Sequence, residues 1–271
     1  MTPSTIHFLK KYLFWLEKSL FDEIPDLGSM ESSNAGHFYK KEGIRLQRID
    51  LLERALIYFE KVFYNYSNNG AFCIYYISNV LENIAGIYKK AGLAEKAAAC
   101  ITKALEWNEE HYETIETNYS LLFHYAEFLV RSYDYREDVQ IPSLDFILSI
   151  IKRAEIKGDG YYSGSYFLQT QIALIQKNEH LAVASVSKAL LLHELCIDNV
   201  VEEFYENLTK GIYPYLEKFL ESTLAFLKEI RINYCYNPTI KFTALNLMSD
   251  TEVIEAWIIR KGELRKRKNV E

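Results

Sequence analysis

Apolar residues recur at intervals of three and four positions along most of this chain, which is the spacing of one face of an α-helix. The spacing first appears in residues 4–21, through Ile6, Leu9, Leu13, Leu16 and Leu20. It resumes at Ile44 and continues, with short breaks, to about residue 230. No alternating apolar run typical of a β-strand competes with it. The pattern therefore predicts an all-α chain.

Residues 22–43 interrupt the helical pattern. They contain a concentration of residues that favour turns, namely Pro25, Gly28, Ser29, Ser32, Ser33, Asn34 and Gly36. We expect a long, exposed and mobile loop over this stretch. Residues 1–43 would then form an N-terminal helix followed by that loop.

Small residues occupy defined positions in the segment LENIAGIYKKAGLAEKAAACITKAL, residues 81–105. Ala85 and Ala97 would let two antiparallel helices approach closely. Gly92, between them, would supply the unhindered residue that ends the first helix. The segment therefore predicts a helix, a tight turn and a second helix, with Ala97 and Ala104 buried where helices touch.

This arrangement recurs along the chain. The second half, AEKAAACITKAL at 94–105, returns as EHLAVASVSKAL at 179–190, and a first helix precedes it at residues 166–173. A weaker copy combines residues 122–129 with 147–154 across an enlarged loop that ends near Pro142. Another covers 200–224, where Gly211 is placed like Gly92 and Pro214 would begin a helix.

The recurrent pattern resembles the tetratricopeptide repeat (TPR) family over residues 44–231, most closely at 81–105. The resemblance implies a right-handed α-solenoid of antiparallel helix pairs. A capping-box pattern, Ser249 to Glu252, opens a last helix. Residues 232–271 are therefore expected to form a C-terminal capping helix and a basic tail.

Members of the TPR family mainly bind proteins or peptides on a concave face lined by the first helix of each repeat. The resemblance places these candidate partner-binding residues there: Asn79, Glu82, Lys89, Lys90, Phe123, Glu127, Arg131, Phe167 and Gln171. Glu82 and Glu127 interrupt the cationic set that would clamp a terminal carboxylate, so a mixed or basic ligand is as well supported as an acidic one. The same positions also fit solvated helix faces without a ligand.

Charge and aromatic content refine this picture. The net charge is −6, and residues 260–271 alone carry +4, which leaves an acidic body of −10. An acidic body argues against nucleic-acid binding. The chain is rich in tyrosine, with 21 residues that include the pair Tyr75 and Tyr76, and tyrosine suits protein interfaces. With no signal-peptide pattern and no long apolar segment, we expect a cytoplasmic protein that does not enter a membrane.

Patterns that carry catalysis were not found. The chain contains no phosphate-binding P-loop, no H-E-x-x-H and no G-x-S-x-G motif. The four scattered cysteines predict neither a disulfide framework nor a zinc site, and the acidic group around His111 predicts a solvated helix start. We therefore expect a non-enzymatic protein- or peptide-binding module, a scaffold or regulatory sensor, without metal or cofactor. The alternatives are an immunity protein that neutralises a cognate toxin and, more remotely, an enzyme with an unrecognised helical active site.

Overall fold

The computed structural model describes residues 29–65, 70–157, 164–192, 212–230, 242–245 and 247–268. Among these residues the regular structure is helical and includes no β-strand, which confirms the predicted all-α class. The predicted helix at 4–21 and the first helix of the copy at 200–224 lie outside the described residues. The chain forms two compact units, residues 1–143 and 144–271.

The first unit contains helices that pack in sequence-adjacent pairs. Its helices are α1 Ser29–Leu46, α2 Ile49–Asn65, α3 Ala71–Lys90, α4 Ala94–Glu110, α5 Tyr112–Thr117 and α6 Tyr119–Ser132, followed by a 3-10 turn at Tyr133–Tyr135. Helix α1 packs on α2 and α3 packs on α4, while α3 also contacts α2 and α6. The predicted helix pair at 81–105 is thus confirmed, and Ala97 and Ala104 are buried as expected.

Helix α1 corrects the sequence-based expectation of an exposed loop at 22–43, because the chain is helical from Ser29 onward. Gly36, which had suggested a turn, and Gly43 serve close helix packing instead. A Cβ atom at Gly36 would lie 2.6 Å from Cε1 of Phe59, and one at Gly43 would lie 2.7 Å from Cγ of Leu52. Both contacts are with α2, so the small residues allow α1 to approach its partner helix.

The same turn links three pairs of helices. Gln47, Gly92 and Lys177 all adopt a positive φ, of 53°, 74° and 57°. In each turn that residue and the next donate hydrogen bonds to carbonyls of the preceding helix, as Gly92 N–H does to Lys89 and Leu93 N–H to Tyr88. This is the Schellman arrangement, which satisfies the last carbonyls of a helix. Gln47 and Lys177 therefore occupy, in their own turns, the position that Gly92 occupies in the turn between α3 and α4.

The second unit is built around one helix that is buried on nearly all sides. Its helices are α7 Leu144–Lys157, α8 Gly164–Ile175, α9 Glu179–Leu192, α10 Pro214–Ile230, α11 Phe242–Leu245 and α12 Asp250–Lys268. Helix α9 contacts α8, α10 and α12. The hydrophobic core of the unit gathers side chains such as Val186, Phe226 and Trp257 from these helices.

Two local predictions in the second unit are confirmed. Helix α10 begins at Pro214. Helix α12 begins with the predicted capping box, in which the Ser249 N–H donates to the Glu252 carboxylate at 2.7 Å and the Glu252 N–H reaches the Ser249 hydroxyl at 3.4 Å. Helix α12 packs on α9 and α10, so it covers apolar surface that those helices would otherwise expose.

Two features differ from the expected repeat order. Helix α5 is an additional short helix, after which the Asn118 side chain caps α6 by accepting from the N–H groups of Ser120 and Leu121. The halves of the weak copy, 122–129 and 147–154, lie on α6 and α7, which belong to different units. Within the described ranges, no helix is long and apolar enough to cross a bilayer.

Candidate binding face of the first unit

Charged and aromatic side chains from α1, α3 and α6 meet on one side of the first unit. We refer to this group as the strip, and its members are His37 and Lys40 from α1, Tyr75, Tyr76 and Glu82 from α3, and His124, Glu127 and Arg131 from α6. Tyr75, Asn79 and Glu82 are four and three residues apart, so they lie on the same side of α3. The strip includes three of the predicted partner-binding residues, Glu82, Glu127 and Arg131.

Arg131 lies at the centre of the charged part of the strip. Its Nε and a terminal nitrogen donate to the two Glu82 oxygens at 2.5 Å and 3.0 Å. Its other terminal nitrogen lies 2.9 Å from Oε1 of Glu127. Burial opposes the charge of this guanidinium, but the two carboxylates outweigh it and the pKa of Arg131 is raised. The cation expected to attract a ligand is therefore neutralised by neighbours within the protein.

Glu127 is held in its charged form by two partners. Burial alone would raise the pKa of its carboxyl, but the contact with His124 and the charge of Arg131 lower it overall. The His124 Nδ1 atom lies 3.2 Å from Oε2 of Glu127. The same imidazole ring stacks on Tyr75, with the ring centroids 4.0 Å apart and the planes 17° from parallel. This stacking joins the charged part of the strip to its aromatic part.

The aromatic part of the strip extends to α1. The His37 ring contacts Tyr76 edge to face, with centroids 4.5 Å apart. The Lys40 ammonium lies 5.9 Å from the ring centres of both Tyr75 and Tyr76, within reach of a cation–π interaction. Burial and, to a smaller extent, the charge of Lys40 lower the pKa of His37. Neutral His37 therefore fits this environment better than its protonated form.

Lys40 is an unusual lysine because it is partly buried beside ring faces. Burial lowers its pKa, the Glu82 carboxylate raises it and Arg131 lowers it further, with a net decrease. The charges of Lys40 and Arg131 together balance those of Glu82 and Glu127. The strip is therefore close to electrically neutral, although it contains four charged side chains.

The remaining predicted residues are placed as follows. Lys89 is exposed, and its ammonium lies 4.6 Å from the Tyr135 ring centre and donates to the Asp134 carbonyl oxygen. Lys90 is exposed and reaches Gln47 at 3.5 Å. Asn79 is half-buried and lines a small cavity between α3 and α6. These three residues lie on α3, the helix of Tyr75, Tyr76 and Glu82, but they are not members of the strip.

Three further predicted residues also lie outside the strip. Phe123 is buried, with 8 % of its surface exposed, so it packs within the first unit and is not an accessible anchor; this corrects the prediction. The helical register explains the difference, because His124 is the residue of α6 that faces Tyr75. Phe167 and Gln171 lie half-buried on α8 of the second unit, where Phe167 packs against the core.

Several members of the strip were not predicted from the sequence. His37 and Lys40 were overlooked because their helix was interpreted as a loop. Tyr75 and Tyr76 were noted as residues that suit interfaces, but they were not assigned to this face. Extending the Asn79–Glu82 register one turn towards the N-terminus would have placed Tyr75 there. No sequence signal shows that His124 stacks on Tyr75, since this contact depends on how α3 and α6 pack.

The two free cysteines near this face, Cys73 and Cys100, have thiols with raised pKa values. Burial raises the pKa of the Cys73 thiol to about 11, so it is protonated near neutral pH. Burial also raises the pKa of Cys100. A thiol that stays protonated is a poor nucleophile and a poor metal ligand. Cys73 is therefore a poor nucleophile near neutral pH.

Comparisons with protein-family models, with curated proteins and with solved structures gave no match for this chain.

Proposed function

We propose that this chain is a non-enzymatic protein- or peptide-binding module, a scaffold or regulatory sensor, whose helix pairs belong to a right-handed TPR-like solenoid. Its partner binds the strip on α1, α3 and α6. In the TPR arrangement these are the first helices of successive repeats, and they line the concave face. The recurrent Schellman turns after Gly43, Tyr88 and Ala173 support a shared repeat unit.

The observation that carries the proposal is the continuous contact of aromatic and charged groups across three helices. Lys40 approaches Tyr75 and Tyr76, Tyr75 stacks on His124, and Arg131 joins α6 to Glu82. These contacts hold the side chains in place before a partner arrives. A preorganised surface loses less side-chain entropy on binding, which favours affinity.

The chemistry of the strip indicates the kind of partner. Tyrosine rings offer contact area together with a polar tip, as in interface anchors. Because Glu82 and Glu127 already neutralise Arg131, a terminal carboxylate would have to compete with two internal carboxylates. We therefore propose a partner segment with aromatic or apolar side chains and mixed charge, for which the charged groups set orientation.

A non-enzymatic role is supported by the partners of the titratable groups. The carboxylates of Glu82 and Glu127 are occupied by Arg131, and Glu127 also contacts His124. The pKa of Glu127 is lowered, which opposes a role as an acid near neutral pH. This arrangement stabilises fixed charges and does not favour proton transfer.

The proposal is tested by capturing the partner from the native source, identifying it by mass spectrometry and measuring its affinity by calorimetry. Tyr75→Ala, Tyr76→Ala and Lys40→Ala should each weaken binding by at least about 1 kcal/mol. Tyr215→Ala is the matched control, since Tyr215 is an exposed tyrosine of the second unit, 46 % accessible. Unchanged affinity in all three variants, with the helical circular dichroism signal retained, would contradict the assignment of the strip.

A further inference from the structure

A second surface lies on the other side of α3. A cavity of about 200 Å³ opens between α2 and α4, with α3 as its floor. Its lining comprises Leu56 and Glu60 from α2, Ile77 and Leu81 from α3, and Lys103, Glu106, Trp107 and Glu110 from α4. Ile77 is two residues from Tyr75, a rotation of about 200° around an α-helix. The cavity and the strip therefore occupy opposite sides of α3.

The floor of the cavity is apolar. Leu56, Ile77 and Leu81 are buried, and only their edges reach the cavity. Trp107 is half-buried beside them, and its indole N–H donates to the Ile74 carbonyl oxygen at 3.3 Å. That hydrogen bond, together with edge-to-face contacts to Phe63 and His111, fixes the indole ring in place. The cavity thus has a rigid aromatic wall.

The rim of the cavity is acidic. Glu106 and Glu110 are four residues apart on α4, so their carboxylates lie on the same side of that helix, and Glu60 faces them from α2. In the described part of the chain, none of these three carboxylates forms an ion pair within 4 Å. Lys103 is the one basic residue in the lining. Like charges at this spacing repel each other, so an incoming cation would relieve an unfavourable interaction.

We propose that this cavity binds a lysine or arginine side chain from a basic segment of a partner protein. The aliphatic stem lies on Leu56, Ile77 and Leu81, and the charged end lies among Glu60, Glu106 and Glu110 beside Trp107. Long basic side chains bury their stems on apolar surfaces while the charge remains at a polar rim. The indole face adds a cation–π contribution. An apolar side chain would instead desolvate the carboxylates without compensation.

This site is independent of the function proposed for the strip. The probe is a fluorescein-labelled peptide of alternating alanine and lysine, and its reference carries glutamine at each lysine position. Binding is followed by fluorescence anisotropy and by the NMR signal of the Trp107 indole N–H. We expect the lysine peptide to bind and to shift that signal, and the glutamine peptide to do neither.

The variants separate a specific site from general attraction to an acidic protein. Glu106→Gln combined with Glu110→Gln should weaken binding of the lysine peptide at least about fivefold. Glu95→Gln combined with Glu137→Gln removes the same charge at exposed positions that do not line the cavity, and should change affinity less than about twofold. Glu60→Lys, which places an internal lysine at the rim, should also weaken binding.

Several results would overturn the proposal. Equal weakening by the two paired variants would show only nonspecific electrostatic attraction. Equal binding of a peptide with leucine at the lysine positions would indicate an apolar occupant. Self-association abolished by the Glu106 and Glu110 variant would assign the cavity to a second copy of this chain. Tyr75→Ala should leave affinity for the lysine peptide unchanged, so failure at the cavity and failure at the strip are distinguishable.

Discussion

The guanidinium of Arg131 on α6 forms two hydrogen bonds with the Glu82 carboxylate on α3, although 49 residues separate them in the chain. The contact links two helices that are not adjacent in sequence. Because both side chains are partly buried, their interaction is screened less than one at the surface. It therefore both orders the strip and contributes to the packing of α6 on α3.

A double-mutant cycle measures this contribution. Arg131→Gln, Glu82→Gln and the combination should give a coupling energy of about 1–2 kcal/mol in chemical denaturation. The exposed pair Arg265 and Glu229, with a similar 2.9 Å contact in the second unit, should give less than about 1 kcal/mol. Similar coupling in both pairs would contradict the importance of burial.

The close approach of α1 to α2 gives the second prediction. Gly36→Ala would place a methyl group 2.6 Å from a Phe59 ring atom, and overpacking of this kind costs about 1–3 kcal/mol. Gly86→Ala, within α3, is the matched control because its Cβ meets nothing within 4 Å. That variant should gain up to about 1 kcal/mol from helix propensity. Thermal melts of both proteins give the comparison, and equal effects would refute the packing role of Gly36.

These glycines also show where sequence reasoning failed. Gly36 was counted among the turn-forming residues, yet it lies within a helix, as Gly43 does, and these two glycines pack against Phe59 and Leu52 of α2. A glycine permits either a turn or a close approach, and the choice depends on a neighbour elsewhere in the chain. The helix pair at 81–105 was predictable because its alanines, its turn and its helical spacing all agree within one segment.

The candidate site was predictable in part for a similar reason. The spacing within one helix places Glu127 and Arg131 on the same side of α6, and in the structure their side chains form an ion pair. The register between helices cannot be obtained from spacing alone. A difference of one residue decided that His124 faces Tyr75 while Phe123 is buried. The cavity beside Trp107 depends on the gap between α2 and α4, for which no local pattern exists.

The shared turn gives a prediction about backbone strain. Gly92→Ala should cost about 1 kcal/mol, because a side chain disfavours φ of 74° even though the space around it is open. Lys177→Gly, at the corresponding turn of the second unit, should instead gain about 0.5–1 kcal/mol, as φ is 57° there. Denaturant titrations measure both. A loss of stability in Lys177→Gly would contradict the structural equivalence of the two turns.

Two histidines predict how stability depends on pH. Burial and the charge of Lys40 lower the pKa of His37. Burial, opposed by Glu110, lowers the pKa of His111, whose Nε2 is buried without a hydrogen-bond partner among the described residues. The unfolded chain therefore binds protons more readily at both sites. The free energy of unfolding should be fully retained above the unfolded pKa of about 6.5 and should fall as the pH drops below it.

The histidine contribution can be isolated by substitution. Denaturant titrations at a series of pH values from about 8 to about 5.5 should show a smaller decrease in the variant His37→Gln with His111→Gln than in the unmodified chain. The pKa of Glu127 is lowered, so its protonation reduces stability only at more acidic pH. Burial raises the pKa of Glu155, so its contribution to stability is lost as the pH rises. Both glutamates are retained in every variant, so the difference between the curves of stability against pH reports the two histidines. Identical curves would show that neither imidazole ring is held in its neutral form by the fold.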